Sequence, residues 1–193
     1  MYTPRSVDLM GLPYITSDGR SIYYRSGNDI QNPRWTAENA FDAELINRVF
    51  GTFGAAYDIN DNWTLAYKYG IDNTSQFSEH AQNKGGVDGN ATGIYYTSDE
   101  IRTIQNHSFT LSFNDQLDDD WSLTALVGAD ANRETYSGRS TTNENQLVFG
   151  VLKPFNFVSQ SSSSYDSEQN IYGAFADLSF NYNDYLYLSL IHI

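Results

Sequence analysis

Trp63-Thr64-Leu65-Ala66-Tyr67-Lys68-Tyr69-Gly70-Ile71 alternates without a fault. Trp63, Leu65, Tyr67, Tyr69 and Ile71 fall on one side of an extended chain, and Thr64, Ala66, Lys68 and Gly70 on the other. A period of two is that of a strand, and the stretch has the roughly 9–11 residues a strand needs to cross a bilayer. The same pattern runs backward through the turn Tyr57-Asp58-Ile59-Asn60-Asp61-Asn62 into Val49, Gly51, Phe53, Ala55, Tyr57 and Ile59, with Arg48, Phe50, Thr52, Gly54, Ala56 and Asp58 on the opposite side.

Further along, His107, Phe109, Leu111 and Phe113 oppose Ser108, Thr110, Ser112 and Asn114. A second short turn, Asp118-Asp119-Asp120, leads into Trp121, Leu123, Ala125, Val127, Ala129 and Ala131, which oppose Ser122, Thr124, Leu126, Gly128, Asp130 and Asn132. Tyr172, Ala174, Ala176, Leu178, Phe180 and Tyr182 form a fifth apolar side, and a third turn, Asn181 to Tyr185, opens a sixth strand at Leu186 whose sides the pattern does not assign.

Each apolar side is free of charge, whereas Lys68, Asp72, Asp130 and Asp177 all fall on the other. Trp63 and Trp121 stand at equivalent places just after short turns, where with Tyr67 they suit a membrane-interface girdle. Short turns alternate with long polar stretches. The expected fold is therefore all-β, an antiparallel up-and-down transmembrane β-barrel fragment, with residues 47–72, 103–132 and 169–190 as strand hairpins. Residues 1–46, including Glu38 to Ile46, are expected to be an extracellular loop region, and about 73–101 and 135–167 two further long extracellular loops. Six strands cannot close a membrane barrel, whose smallest natural form has about eight, so a larger barrel is expected.

The composition narrows the function. The 193 residues carry a net charge of −13 with only 11 Lys and Arg, and these form no stripe; nucleic acid, which needs clustered cations, is not an expected partner. No cysteine is present, which removes disulfide frameworks and Cys-based zinc sites. Met1-Tyr2-Thr3-Pro4 has the features of no signal peptide. Asp118-Asp119-Asp120 reads as a solvated turn rather than a cation site. His80, His107 and His192 lie apart, and the glycines at 85, 86, 89 and 93 lack the strand-to-helix setting of a phosphate loop. No enzyme activity, cofactor or metal is expected. What remains is recognition by aromatic and amide side chains: Tyr23, Tyr24, Arg25, Asn28, Asp29, Gln31, Asn32 and Trp35 suit stacking on, and hydrogen bonding to, sugars or peptide backbones. The alternative is that these residues pack their own loop.

Pro4 to Met10, Arg20 to Trp35, the Tyr57 to Asp61 turn, Gln82-Asn83-Lys84-Gly85-Gly86 and above all Asn145-Gln146-Leu147-Val148-Phe149-Gly150-Val151-Leu152-Lys153-Pro154-Phe155-Asn156-Phe157 resemble the barrel region of SusC/RagA-type TonB-dependent receptors, over nearly the whole chain. The resemblance implies a barrel of about 22 strands with a plugged lumen in the outer membrane of Bacteroidota-like bacteria. It implies import of oligosaccharides, peptides or other nutrients with energy from TonB, under a SusD-like lipoprotein lid. The family's N-terminal extension, TonB box and plug have no counterpart in this sequence. After Leu188 the likeness stops, and Leu188 to Ile193 can be encoded by a transposase sequencing adapter; these residues are expected to be read-through, which their recovery from genomic DNA would refute. A passive porin and a soluble carbohydrate-binding β-domain are the alternative classes.

Overall fold

The computed structural model describes residues 7–22, 31–87, 90–183 and 185–192. Strands β1 (Ala40–Asp58), β2 (Trp63–Gln82), β3 (Ile94–Gln116), β4 (Trp121–Gln146), β5 (Phe157–Tyr182) and β6 (Leu186–His192) form one antiparallel sheet in the order β1-β2-β3-β4-β5-β6. One short helix, α1 (Pro33–Asn39), precedes β1, and a 3-10 turn, Pro154–Asn156, precedes β5. The up-and-down order follows from the three tight turns, each of which reverses the chain onto its neighbour.

The first two turns share a chemistry. Asn60 Oδ1 accepts from the backbone N–H groups of Asn62 and Trp63, both at 3.0 Å. Asp118 Oδ1 does the same for Asp120 at 2.9 Å and Trp121 at 2.8 Å. A short oxygen-bearing side chain thus satisfies two N–H groups that the reversal would leave bare. The Asp118 carboxylate is spent on closing its turn.

The chain divides into two compact units. The first comprises residues Asn47–Thr74, Ile101–Ser137 and Asp166–Ile193. On one side of its sheet Trp63 packs on Phe113 with ring centres 4.8 Å apart, Tyr67 on Phe109 at 4.5 Å and Trp121 on Tyr182 at 4.7 Å. The register Phe180↔Leu188 and Leu178↔Leu190 adds Leu186, Leu188 and Leu190 to that side, which settles the sides of β6. The opposite side carries Arg48 on Asp72, with Nε to Oδ1 at 2.9 Å, Arg102 on Glu134 at 2.7 Å and Asn132 on Asn106 at 2.6 Å. Up to Ala131 and from Tyr172 onward, aromatic pairs therefore lie on one surface and charged pairs on the other, the consequence of strict alternation; beyond that span the pair Arg133–Glu168 falls on the aromatic side. None of the described side chains that form the hydrophobic core belongs to this unit. Val49 is 71% exposed and Val127 58%.

The second unit comprises Met1–Ile46, Ser75–Glu100 and Gly138–Tyr165. It holds all the buried hydrophobic side chains among the described residues: Trp35, Ala81, Tyr95 and Phe157. Here the structure corrects the sequence reading. β1 begins at Ala40, and α1 precedes it, inside the region expected to be loop. The expected loops 73–101 and 135–167 are mostly strand; the actual connections are 83–93 and 147–156. These strand ends are polar on both sides, so no apolar alternation announces them. They are held by the backbone ladder and by cross-strand hydroxyl pairs such as Thr97 with Thr141 at 2.7 Å and Ser140 with Ser163 at 2.8 Å.

The turn chemistry gives a direct test. Replacing Asp118 by Ala should cost about 1 kcal/mol of unfolding free energy, whereas Asp119→Ala, which removes no such bond, should leave it unchanged. Denaturant titration of both variants checks the difference.

Candidate functional site

The candidate site lies in the second unit and is built by the loop 7–22, helix α1, and the two connections 83–93 and 147–156. Helix α1 starts where Asn32 caps it, its side chain accepting from Arg34 N at 3.0 Å, with Pro33 in the first helical position. Both choices suit a helix N-terminus. Trp35 is wholly buried and donates from Nε1 to Gly19 O at 2.8 Å. Arg34 reaches back from Nη1 to the carbonyls of Leu9 at 3.0 Å and Met10 at 3.1 Å and lies 4.0 Å over the Tyr14 ring. Tyr14 in turn donates to Glu38 at 2.7 Å, which raises the phenol's pKa. The helix and the preceding loop form one clamp.

Amide side chains tie this clamp to the connections. Asn83 N donates to Asn39 O at 2.8 Å. Asn83 Oδ1 accepts from Gln146 Nε2 at 2.9 Å and Gly150 N at 3.0 Å. Gln146 Oε1 accepts from Lys84 N at 2.8 Å. Asn156 closes the 148–151 turn from within, accepting from Val148 N at 3.0 Å and donating to Val148 O at 2.6 Å and Val151 O at 2.8 Å. No buried side-chain nitrogen or oxygen among the described residues lacks a partner. That completeness makes a polar interior stable. The sequence stretches 82–86 and 145–157 thus owe their residues to this network.

Glycine is needed at Gly85. Its φ is +100°, and a Cβ there would lie 2.9 Å from Gly19 O and 3.0 Å from the Arg20 Cα. Only glycine lets the two backbones touch. Beside that contact opens a cleft of about 800 Å³ whose wall includes Arg20, Lys84, Thr92, Asn145, Leu147 and Val158. Arg20 Nε holds Asp18 at 2.9 Å, and the Asp18 pKa is lowered by the Thr16 hydroxyl first and by Arg20 in a lesser degree. Lys84 Nζ donates to Leu147 O at 2.7 Å.

The expected ligand residues separate. Tyr23, Tyr24, Arg25, Asn28 and Asp29 lie outside the described residues. Gln31 is half-buried and bridges Val87 N at 3.0 Å to Thr36 Oγ1 at 2.9 Å. Asn32 caps α1, and Trp35 has no open ring face in this chain. These three build the clamp. Of the expected interface residues, Trp63 and Trp121 take matching ring partners, and Tyr67 adds a hydrogen bond to His107 Nδ1 at 2.8 Å. Sequence reading assigned no role to Arg20 or Lys84; the doublet Gly85-Gly86 beside Lys84 was the available signal. Among the described residues no cluster of His, Cys, Asp or Glu is arranged to hold a metal.

The sheet is shared with known transporters. The chain superimposes on the structure of the RagAB peptide transporter with a TM-score of 0.76 at 13% identity, over 87% of this chain and 20% of that one. The RagAB peptide importer in its closed-closed state gives 0.71 at 14% identity, over 88% and 20%, and the open-open state 0.69 at 14%, over 88% and 19%. At such identities the likeness is one of fold. The chain spans about a fifth of the length of the transporter chains it matches. No protein-family model and no curated protein matches the sequence.

Tyr95 supplies a pH test of this unit. It is buried and donates to Glu79 Oε1 at 2.6 Å; that bond, then burial, then the carboxylate's charge push its pKa up to about 12. The folded state keeps a proton that the unfolded chain loses near pH 10. The stabilisation is thus present in full below pH 10 and lost as pH rises toward 12. Unfolding curves at pH 9 and above should show this loss, and Tyr95→Phe should flatten it.

Proposed function

We propose that this chain is part of the wall of an outer-membrane, TonB-dependent importer of the SusC/RagA type. The intact protein takes up oligosaccharides, peptides or other nutrients and works beneath a SusD-like lipoprotein. One observation carries the reading: from the short turns to Ala131 the sheet side bearing Val49, Phe53, Leu65, Phe109 and Val127 is uncharged, exposed and uncovered by any described part of the chain. Lipid is the covering that suits it, because strands that alternate apolar-out and polar-in are how a barrel meets hydrocarbon on one side and water on the other. The charged pairs Arg48–Asp72 and Arg102–Glu134 then look into a wet lumen, where they need no dry interior.

The far end of the uncharged side supports the same placement. Beyond Ala131 and before Tyr172 the surface turns polar, with Arg133 on Glu168 at 3.0 Å and Asn73 on Thr103 at 2.7 Å. Trp63 and Trp121 mark the other end. An apolar belt with aromatic residues at one rim and polar pairs at the other fits the thickness of a membrane. The likeness in fold to the RagAB transporter and the resembling stretches 82–86 and 145–157 favour an importer over a passive pore. The segments joining successive hairpins then face the cell exterior, where a lid lipoprotein and the ligand meet the barrel. Catalysis has no part in this role.

Val127 offers a decisive substitution. At 58% exposure an arginine there is harmless in water but costs about 2–4 kcal/mol at the midplane of a bilayer. Val127→Arg should sharply reduce the folded, heat-modifiable receptor recovered from outer membranes, whereas Thr124→Arg on the lumen side should not. Equal recovery of both would remove the membrane placement.

A further inference from the structure

We propose that the cleft beside Gly85 binds a carboxylate-bearing ligand, held between Arg20 and Lys84. This goes beyond the importer reading, naming a ligand chemistry for a place that reading leaves empty of role. Cations are scarce in this protein. The chain has 11 Lys and Arg against 24 Asp and Glu, yet two of its cations line one cleft of about 800 Å³. They are brought together by the backbone: Ser21 N donates to Gly85 O at 2.8 Å, and a Cβ on Gly85 would stand 3.0 Å from the Arg20 Cα.

Both cations have donors to spare. Among the described residues Arg20 meets Asp18 through Nε alone and its side chain is 74% exposed, so toward them both terminal nitrogens of its planar fork stay open to grip two oxygens of one carboxylate. Lys84 uses one of three ammonium protons, on Leu147 O. Its backbone is pinned through Gln146 Oε1, which in turn is pinned by Asn83, so the ammonium starts from a fixed root. The bond to Leu147 O neutralises none of its charge. Asp18 balances one of the two cations, leaving the cleft with positive charge to offer. Thr92 and Asn145 add a hydroxyl and an amide to the wall, and Leu147 and Val158 an apolar strip. Such a mixture suits a small polar ligand with one acid group.

Two sources supply that chemistry, a uronic acid in an oligosaccharide and the C-terminus of a short peptide. Full-length protein in detergent is titrated with four probes: trigalacturonic acid, maltotriose, trialanine and trialanine amide. Either acid probe should bind roughly 10- to 100-fold more tightly than its neutral counterpart, the effect of a charge-assisted contact. The pair that discriminates identifies the source. Arg20→Gln should abolish the preference and Arg20→Lys should retain part of it, with circular dichroism unchanged in both. Lack of preference in both pairs, or preference surviving in Arg20→Gln, overturns the proposal. Heat-modifiable assembly in outer membranes, followed in the same variants, reports on the importer reading separately, since Arg20 lies outside the apolar belt.

Discussion

An apolar surface is stable only against another apolar surface, and in this chain nothing described covers the uncharged side of the sheet. Leaving Val49, Phe53, Leu65, Phe109, Val127 and Leu186 in water forgoes about 1.5–3 kcal/mol for each side chain. Together that rivals the whole stability of an ordinary domain, about 5–15 kcal/mol. Contact with hydrocarbon tails is the constraint on which the proposed reading rests. It explains why charge leaves this side free across the span from the short turns to Ala131, why rings gather beside those turns, and why the first unit folds without a core of its own.

The second unit solves a different problem. Its strands are rich in polar residues on both sides, with scattered exposed apolar ones such as Leu45 and Val158, and its buried hydrophobic side chains are few. Cohesion comes from amides that are fully used: Asn83 joins α1 to the 147–156 connection through Asn39 and Gln146, and Asn156 braces that connection from inside. Such a network holds one arrangement well, because each missing partner would leave a buried polar group bare. Gly85 then permits the close approach that places Arg20 beside Lys84.

What the sequence makes legible follows from this division. Period-two alternation is visible wherever one side meets an apolar phase, so the strand cores around Leu65, Phe109, Leu123 and Leu178 and the three turns are readable. It vanishes where both sides are largely polar, and the stretches around Thr97, Ser140 and Ser163 look like loop although the ladder continues through them. Asn32-Pro33 is a helix start that the short, poorly periodic α1 obscures. Trp35 looks like a ligand platform because an isolated tryptophan among amides does so in sequence; only the fold shows that it is enclosed. The sides of β6 needed the Leu178↔Leu190 register. Arg20 and Lys84 are far apart in the chain, and no local pattern could join them.

Site-directed spin labelling measures the central contact. Nitroxides placed singly at Leu65, Phe109, Leu123 and Leu178 of the full-length protein in bilayers should be relaxed by oxygen, which concentrates in lipid. Labels at Ala66, Ser108, Thr124 and Asp177 should respond to a water-soluble nickel complex instead. That alternation, strand after strand, is what lipid on one side and a wet lumen on the other requires. Inaccessibility of the first set to both reagents would place those side chains inside a protein interior and contradict the account.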